Sequence, residues 1–332
     1  MRIFFFFFFF ILLSLNSLVF SLRTLSGPCK TLNPNQRALR SDQITVLING
    51  FSESRIHLLR SIASTYASFP SVDSVLILWG NTTTPLKTLT ELSNNLTFYS
   101  FGAQISVLRQ STQSLNARFF PRPSITTRAV AICDDDVEID RESFEFAFKI
   151  WSTHQESMIG FFARSHDFDL LKKSWIYSVH YDKYSILLTK FMILNTNYLY
   201  KYSCGSGSGS DNDMKMVKLR NVVDEMMNCE DILMNFVVSS EVSSGPILVD
   251  AKKLRDHGDS RNQNGEEGER DVGLSSRRRE HRKRRGDCIR EFHKVLGRMP
   301  LKYSYGKVVN SVGEQGLCEK GGKLVLCDEQ DL

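Results

Sequence analysis

Ala129-Val-Ala-Ile-Cys133 runs without a break into Asp134-Asp135-Asp136. A short apolar run holding the β-branched Val130 and Ile132 predicts a buried strand. Three carboxylates at its end, with no basic residue adjacent in sequence, repel one another unless a cation sits among them. Carboxylates are hard oxygen ligands, so the expected ion is Mn2+ or Mg2+ rather than zinc. An ion held by so few side chains shares its coordination with substrate phosphate. Aspartate triplets also occur in surface turns, and the triplet by itself does not decide between a turn and a metal site.

The flanking sequence supplies the architecture. Ile44-Thr-Val-Leu-Ile48 reads as a buried strand closed by a turn at Asn49-Gly50. Ser52 to Ser68 reads as a helix with Ile56, Leu59, Ile62 and Ala63 on one face, and Val72 to Trp79 as a second buried strand. A helix at Pro85 to Leu92 and a strand at Ile105 to Leu108 continue the alternation, which predicts an α/β fold with a mostly parallel central sheet covered on both faces. In such sheets ligands sit beyond the carboxyl ends of the strands, where the triplet falls. The segment from Asn116 to Pro123 is rich in arginine and proline and reads as irregular. Its Arg118 is either a surface arginine or a bidentate donor for a diphosphate.

Beyond the triplet, Glu142 to Trp151 reads as an amphipathic helix, Ile159 to Arg164 and Ser174 to Val179 as strands, and Ile186 to Asn195 as a further buried segment. Gly205 to Ser210 and Gly258 to Arg270 read as flexible loops. Glu230 and Asp231 open an apolar helical run, the usual place for acidic residues in a first turn. Arg277-Arg-Arg-Glu-His-Arg-Lys-Arg-Arg285 reads as a solvated helix face, or as contacts to a pyrophosphate leaving group or to an anionic acceptor at a membrane.

The chain has 332 residues and a net charge of only +5, much of it from that one run, which argues against a nucleic-acid binder. Ile3 to Leu22 is apolar, with seven consecutive phenylalanines, and reaches the length of about 20 residues that spans a bilayer. It is a signal-anchor or a cleaved signal peptide, and either one sends the chain into the secretory route. Residues 23–42 then read as a short stem, 43–304 as the catalytic domain and 305–332 as a C-terminal tail. Seven cysteines are consistent with one or two bridges in that compartment. Sequons at Asn81 and Asn95 favour lumenal placement.

The strand followed by Asp-x-Asp resembles the way GT-A glycosyltransferases hold the diphosphate of a nucleotide sugar. Three ordered motifs, Cys133-Asp-Asp-Asp136, Asn228-Cys-Glu-Asp-Ile-Leu-Met-Asn-Phe236, and Cys288-Ile289 followed by Arg298-Met-Pro-Leu-Lys-Tyr-Ser304, together resemble glycosyltransferase family 64, the exostosin-like enzymes. The resemblance implies a single GT-A domain. It places Asp134 and Asp135 against the ribose and phosphates, Asp136 on Mn2+, Asp231 as the catalytic carboxylate, Asn228 near the sugar or acceptor, and Arg285 against the diphosphate. It also implies nucleotide contacts from Arg118, Arg55 and Asn81, and a Cys229 to Cys288 disulfide. A base-contacting Asn81 conflicts with its glycosylation, which leaves Asn95 as the favoured glycan site. Gln113 departs from the asparagine of the animal members, which bears on base preference.

The short layout is similar to the plant branch of the family. That similarity implies a retaining transfer of mannose from GDP-mannose to the glycan headgroup of a membrane glycosphingolipid, a glycosylinositol phosphorylceramide. The enzyme would be a single-pass type II protein of the Golgi membrane. Two alternatives stand beside this: a UDP-N-acetylhexosamine-dependent transferase on the same fold, and a non-catalytic glycan-binding or scaffold protein.

Overall fold

A computed structural model describes residues 38–99, 102–205, 211–258, 278–310, 315–320 and 322–328. The apolar 3–22 segment, most of the stem and most of the two loops read above lie outside the described residues. No helix among the described residues is long and apolar enough to cross a membrane.

A seven-stranded sheet forms the centre. Its strands are β1 (Arg40–Gly50), β2 (Val72–Trp79), β3 (Gln104–Arg109), β4 (Thr127–Asp134), β5 (Ile159–Gly160), β6 (Phe191–Asn195) and β7 (Ile247–Leu248), in the order β7-β5-β6-β4-β1-β2-β3. Neighbours are parallel except at β6, which runs antiparallel to both β4 and β5. The sheet is therefore mostly parallel, as the alternation predicts. The chain adds β2 and β3 on one side of β1 and then crosses to lay β4 on the other, a topological switch between β1 and β4.

Side chains alternate through the sheet because successive residues of a strand point to opposite faces. Ile44, Val46 and Ile48 of β1, with Ala129, Ala131 and Cys133 of β4, share one core with α1 (Ile56–Ala67), α2 (Leu86–Tyr99) and α3 (Arg141–Thr153). Leu47, Val130 and Ile132 face the other core, built with α4 (Asn197–Cys204), α5 (Asp211–Met226), α6 (Glu230–Val242) and α7 (Arg278–Leu296). The Asp140 carboxylate caps α3 by accepting from the Ser143 N–H at 3.2 Å, which settles where that helix starts.

Register fixes the site. Asn49 lies opposite Asp134, and Gly50 lies opposite Trp79, so β1, β2 and β4 end at one edge. Gly50 is still strand rather than turn. The Asn116 region is not irregular either, because Leu115–Phe119 forms a 3-10 helix whose N-cap Ser114 accepts from the Asn116 N–H. The Ile186 to Asn195 segment is split into a two-residue strand, Ile186–Leu187, and β6.

Candidate active site

At the shared strand edge the three aspartates meet arginines from elsewhere in the chain. Arg55, one turn beyond β1, donates from Nη1 to Asp135 Oδ1 at 2.7 Å and to Asp136 Oδ2 at 3.0 Å. Arg118, carried by the 3-10 helix, donates to Asp134 Oδ1 at 2.9 Å and lies 3.4 Å from Glu230 Oε1. Arg118 is buried, so the surface-arginine alternative does not hold. Burial pushes the Asp135 carboxyl up to about 7, with Asp136 and Asp134 adding to the shift and Arg55 opposing it. Asp136 is raised for the same reason, burial first and Asp134 next. Burial also raises Glu230, against the pull of Arg118.

A second pair lies beside the first group. α5 ends at Met226, and the chain passes through left-handed backbone at Met227 (φ 46°) and Cys229 (φ 79°) before α6 begins at Glu230. Non-glycine residues adopt that conformation only when their surroundings hold it. Here the hold is the disulfide from Cys229 to Cys288 of α7. It clamps the start of α6 to α7 one turn beyond Arg285. Arg285 Nη2 then donates to Asp231 Oδ2 at 2.6 Å, Arg285 Nη1 to Asn228 Oδ1 at 3.2 Å, and the guanidinium lies 4.6 Å over the Tyr177 ring. Burial works against the Arg285 cation, but the Asp231 carboxylate more than offsets it, and the guanidinium titrates above its ordinary value. Within the basic run, then, Arg282 and Lys283 are solvated while Arg285 is buried.

Arg118 joins the two groups, since it touches both Asp134 and Glu230, the neighbour of Asp231. The network holds five carboxylates (Asp134, Asp135, Asp136, Glu230, Asp231) and three guanidiniums (Arg55, Arg118, Arg285), which leaves two negative charges if all ionise. A divalent cation closes that balance, and the donors are hard oxygens at a strand end, so the residues present fit Mn2+ or Mg2+. Among the described residues no three His, Cys, Asp or Glu side chains are gathered to hold an ion by themselves.

The remaining candidates are more scattered. Asn81 follows β2 at the same edge, where its Oδ1 accepts from the Thr83 N–H at 3.0 Å and the Thr83 hydroxyl at 2.7 Å. Gln113 donates to Thr82 Oγ1 at 3.1 Å, so Gln113 and Asn81 flank one loop. Asn95 is exposed on α2, away from this edge. Two site residues escape sequence reasoning. Glu230 looks like any first-turn acid, and Tyr177 like any strand aromatic; nothing local marks either.

Comparison with known proteins adds the family context. The description "Glycosyl transferase family 64 domain" matches residues 44–313. The Arabidopsis thaliana "Glycosyltransferase family protein 64 C3" is 59% identical over 316 residues, covering 94% of each chain. Exostosin-1 of Bos taurus is 32% identical over 206 residues, 60% of this chain but 25% of its own length. The Arabidopsis "Glucosamine inositolphosphorylceramide transferase 1" is 26% identical over 246 residues, 74% of this chain and 29% of its own.

Proposed function

The chain belongs to glycosyltransferase family 64, and from that premise we propose that it moves mannose from GDP-mannose to the glycan headgroup of a glycosylinositol phosphorylceramide, with retention, on a GT-A domain facing the Golgi lumen. The observation that carries the reading is the cluster of buried ion pairs in which Arg118 ties Asp134 of the triplet to Glu230, the sequence neighbour of Asp231 in the Asp231–Arg285 pair. A diphosphate needs cations on both sides, and a departing one needs its growing charge met by groups already in place. Arg55 and Arg118 pair with the triplet, and Arg285 pairs with Asp231. Asp136 would hold the metal, which when bound neutralises charge on the diphosphate.

Asp231 Oδ1 is engaged by the Ile232 N–H at 2.7 Å and Oδ2 by Arg285, so the carboxylate is fixed in orientation. A fixed carboxylate beside the anomeric carbon stabilises an oxocarbenium-like centre during front-face attack, or attacks it in the first of two inversions. In both cases Arg285 holds the carboxylate in place. The lipid class is carried over from the relative named for inositolphosphorylceramide; the sugar is not.

The Arabidopsis relative named for glucosamine favours a second reading, a uridine-linked hexosamine donor. Calorimetric titration of the full chain in detergent with GDP-mannose and UDP-N-acetylglucosamine, each with and without Mn2+, separates them. Metal-dependent binding of the guanine donor alone is the expected result. Binding of the uridine donor alone transfers the assignment to the hexosamine enzyme, and binding of neither by folded protein points to the non-catalytic alternative.

A further inference from the structure

One surface feature has no part in this chemistry. Strands Ala163–Asp169 and Ser174–Ser178 form a hairpin, paired from Ser165 opposite Ser178 to Asp169 opposite Ser174. The turn that joins them displays Leu170 at 81% exposure and Leu171 at 97%, with Phe168 at 43% on the adjoining strand. Singly exposed leucines are ordinary; two adjacent ones at the apex of a hairpin are not.

The turn is built to hold them outward. The Asp169 carboxylate accepts from the backbone N–H groups of Leu171 and Lys172, both at 3.0 Å, closing the turn as aspartates do. Lys172 Nζ lies 3.3 Å from the same carboxylate with its side chain 75% exposed, and Lys173, also exposed, takes a φ of 47°. The hairpin is braced one residue pair below its turn. The Phe168 and Trp175 rings meet edge to face at 5.1 Å, Trp175 packs on His293 of α7, and Arg290 of α7 donates to the Trp175 carbonyl at 3.3 Å. The tip is thus tied to the helix that carries Arg285.

We propose that this hairpin tip seats on a lipid bilayer, with Leu170 and Leu171 entering the interfacial layer and Lys172 and Lys173 meeting anionic headgroups. An apolar pair followed directly by two cations matches the change from acyl chain to charged headgroup across that layer. The exposed apolar surface at the tip is confined to Leu170, Leu171 and Phe168, whereas a protein partner is met by a broader packed patch. Tyr177 of the same hairpin lies under Arg285, and the strand from Ser174 to Tyr177 rises about 10 Å. A seated tip therefore holds the Asp231–Arg285 pair well clear of the bilayer. This suits an acceptor hydroxyl carried several sugars out from a lipid, rather than one at the lipid surface. That consequence for the acceptor rests on the glycosyl-transfer reading; the seating itself does not.

The test uses the full chain with Leu171→Trp, reconstituted in phosphatidylcholine–phosphatidylserine vesicles containing lipids brominated in the acyl chain. The emission added by the new tryptophan is obtained by difference from the unmodified chain, so the 3–22 segment is common to both samples. Seating predicts a blue-shifted emission quenched about twofold or more by the bromines, and a several-fold weaker quench once Lys172→Glu and Lys173→Glu are added. Emission of a water-exposed indole overturns the proposal. A shielded indole that bromines do not quench overturns it too, and assigns the tip to a protein contact. Leu170→Ser with Leu171→Ser should lower transfer to a bilayer-embedded acceptor by about tenfold per leucine, as the loss of its apolar transfer free energy implies, with nucleotide-sugar titration unchanged. The quench is read without any turnover, so failure of the seating and failure of the glycosyl-transfer reading are told apart.

Discussion

Replacing Asp231 by asparagine tests the central pair without relying on turnover. Asp231 and Arg285 are 3% and 5% exposed, so the variant strands a buried guanidinium whose remaining contacts are the Asn228 side-chain oxygen and the face of Tyr177. Stripping one partner from a buried ion pair costs about 3–5 kcal/mol, because the other charge stays out of water without compensation. The Glu230 carboxylate acts on the same cation, which places the expected loss near the lower end, about 3 kcal/mol. In a domain of this size each kcal/mol lowers Tm by about 2–4 °C, so Asp231→Asn should melt about 6–12 °C below the parent. Asp231→Asn with Arg285→Met removes both charges and should recover most of that loss, since no uncompensated buried ion is then left. Thermal unfolding of the parent, the two single variants and the double variant, followed by circular dichroism, closes the cycle. Asp231→Asn melting within 2 °C of the parent, or a double variant showing only the sum of the single losses, would refute the buried, coupled pair.

Two further outcomes follow from the same coordinates. Cys229→Ser with Cys288→Ser opens a crosslink between residues 59 apart, worth about 4 kcal/mol by the chain-entropy relation. Denaturant unfolding of the variant should show that loss, and a change under 1 kcal/mol would mean that the bridge does not constrain the chain. His166 is buried between Tyr303 and Trp175 and bonded through Nδ1 to the Ser185 hydroxyl at 2.7 Å. Burial lowers its pKa from 6.5 to about 4. The unfolded chain therefore binds the extra proton in that window. Stability should be full above pH 6.5 and fall as the pH drops towards 4, by up to about 3 kcal/mol. Asp135, raised by burial to about 7, works in the opposite direction over its own window, so the comparison that isolates the histidine is the parent against His166→Gln. An unchanged slope between pH 6.5 and 4 in that variant would count against a neutral buried imidazole.

What the sequence shows of this site divides by the range of the interaction. The strand that ends in Asp134, the apolar run at Val75 and the helix after Ser52 all carry local signals, an apolar period or an abrupt change of polarity, and the structure has those elements. The positions of Arg55 and Arg118 follow at second hand. The register of a parallel sheet brings the ends of β1, β2 and β4 to one edge, but no local pattern says which arginine of which connection reaches which carboxylate. Glu230 is the extreme case, because its guanidinium partner is 112 positions away and its own surroundings look like an ordinary helix start.

Arg285 is different, and instructive. Among its basic neighbours it has no chemical mark, yet the buried face of α7 does: Cys288, Ile289 and Phe292 are fully buried, and they lie three, four and seven positions beyond Arg285, the spacing of one helical stripe. Extending that stripe backwards reaches Arg285 and puts Lys283 on the opposite face, in water as found. A cation on the apolar stripe of a helix has to meet an anion there or unfold the helix end. The Asp231 carboxylate at the start of the apolar α6, tied to the same stripe by the Cys229–Cys288 bridge, is the anion that the geometry supplies. The pairing of Asp231 with Arg285 is thus a consequence of helix phase and one crosslink, and it would persist in a relative whose donor sugar differs. The loop of Asn81, Thr82 and Gln113 beyond β2 is among the parts that such phase arguments do not fix.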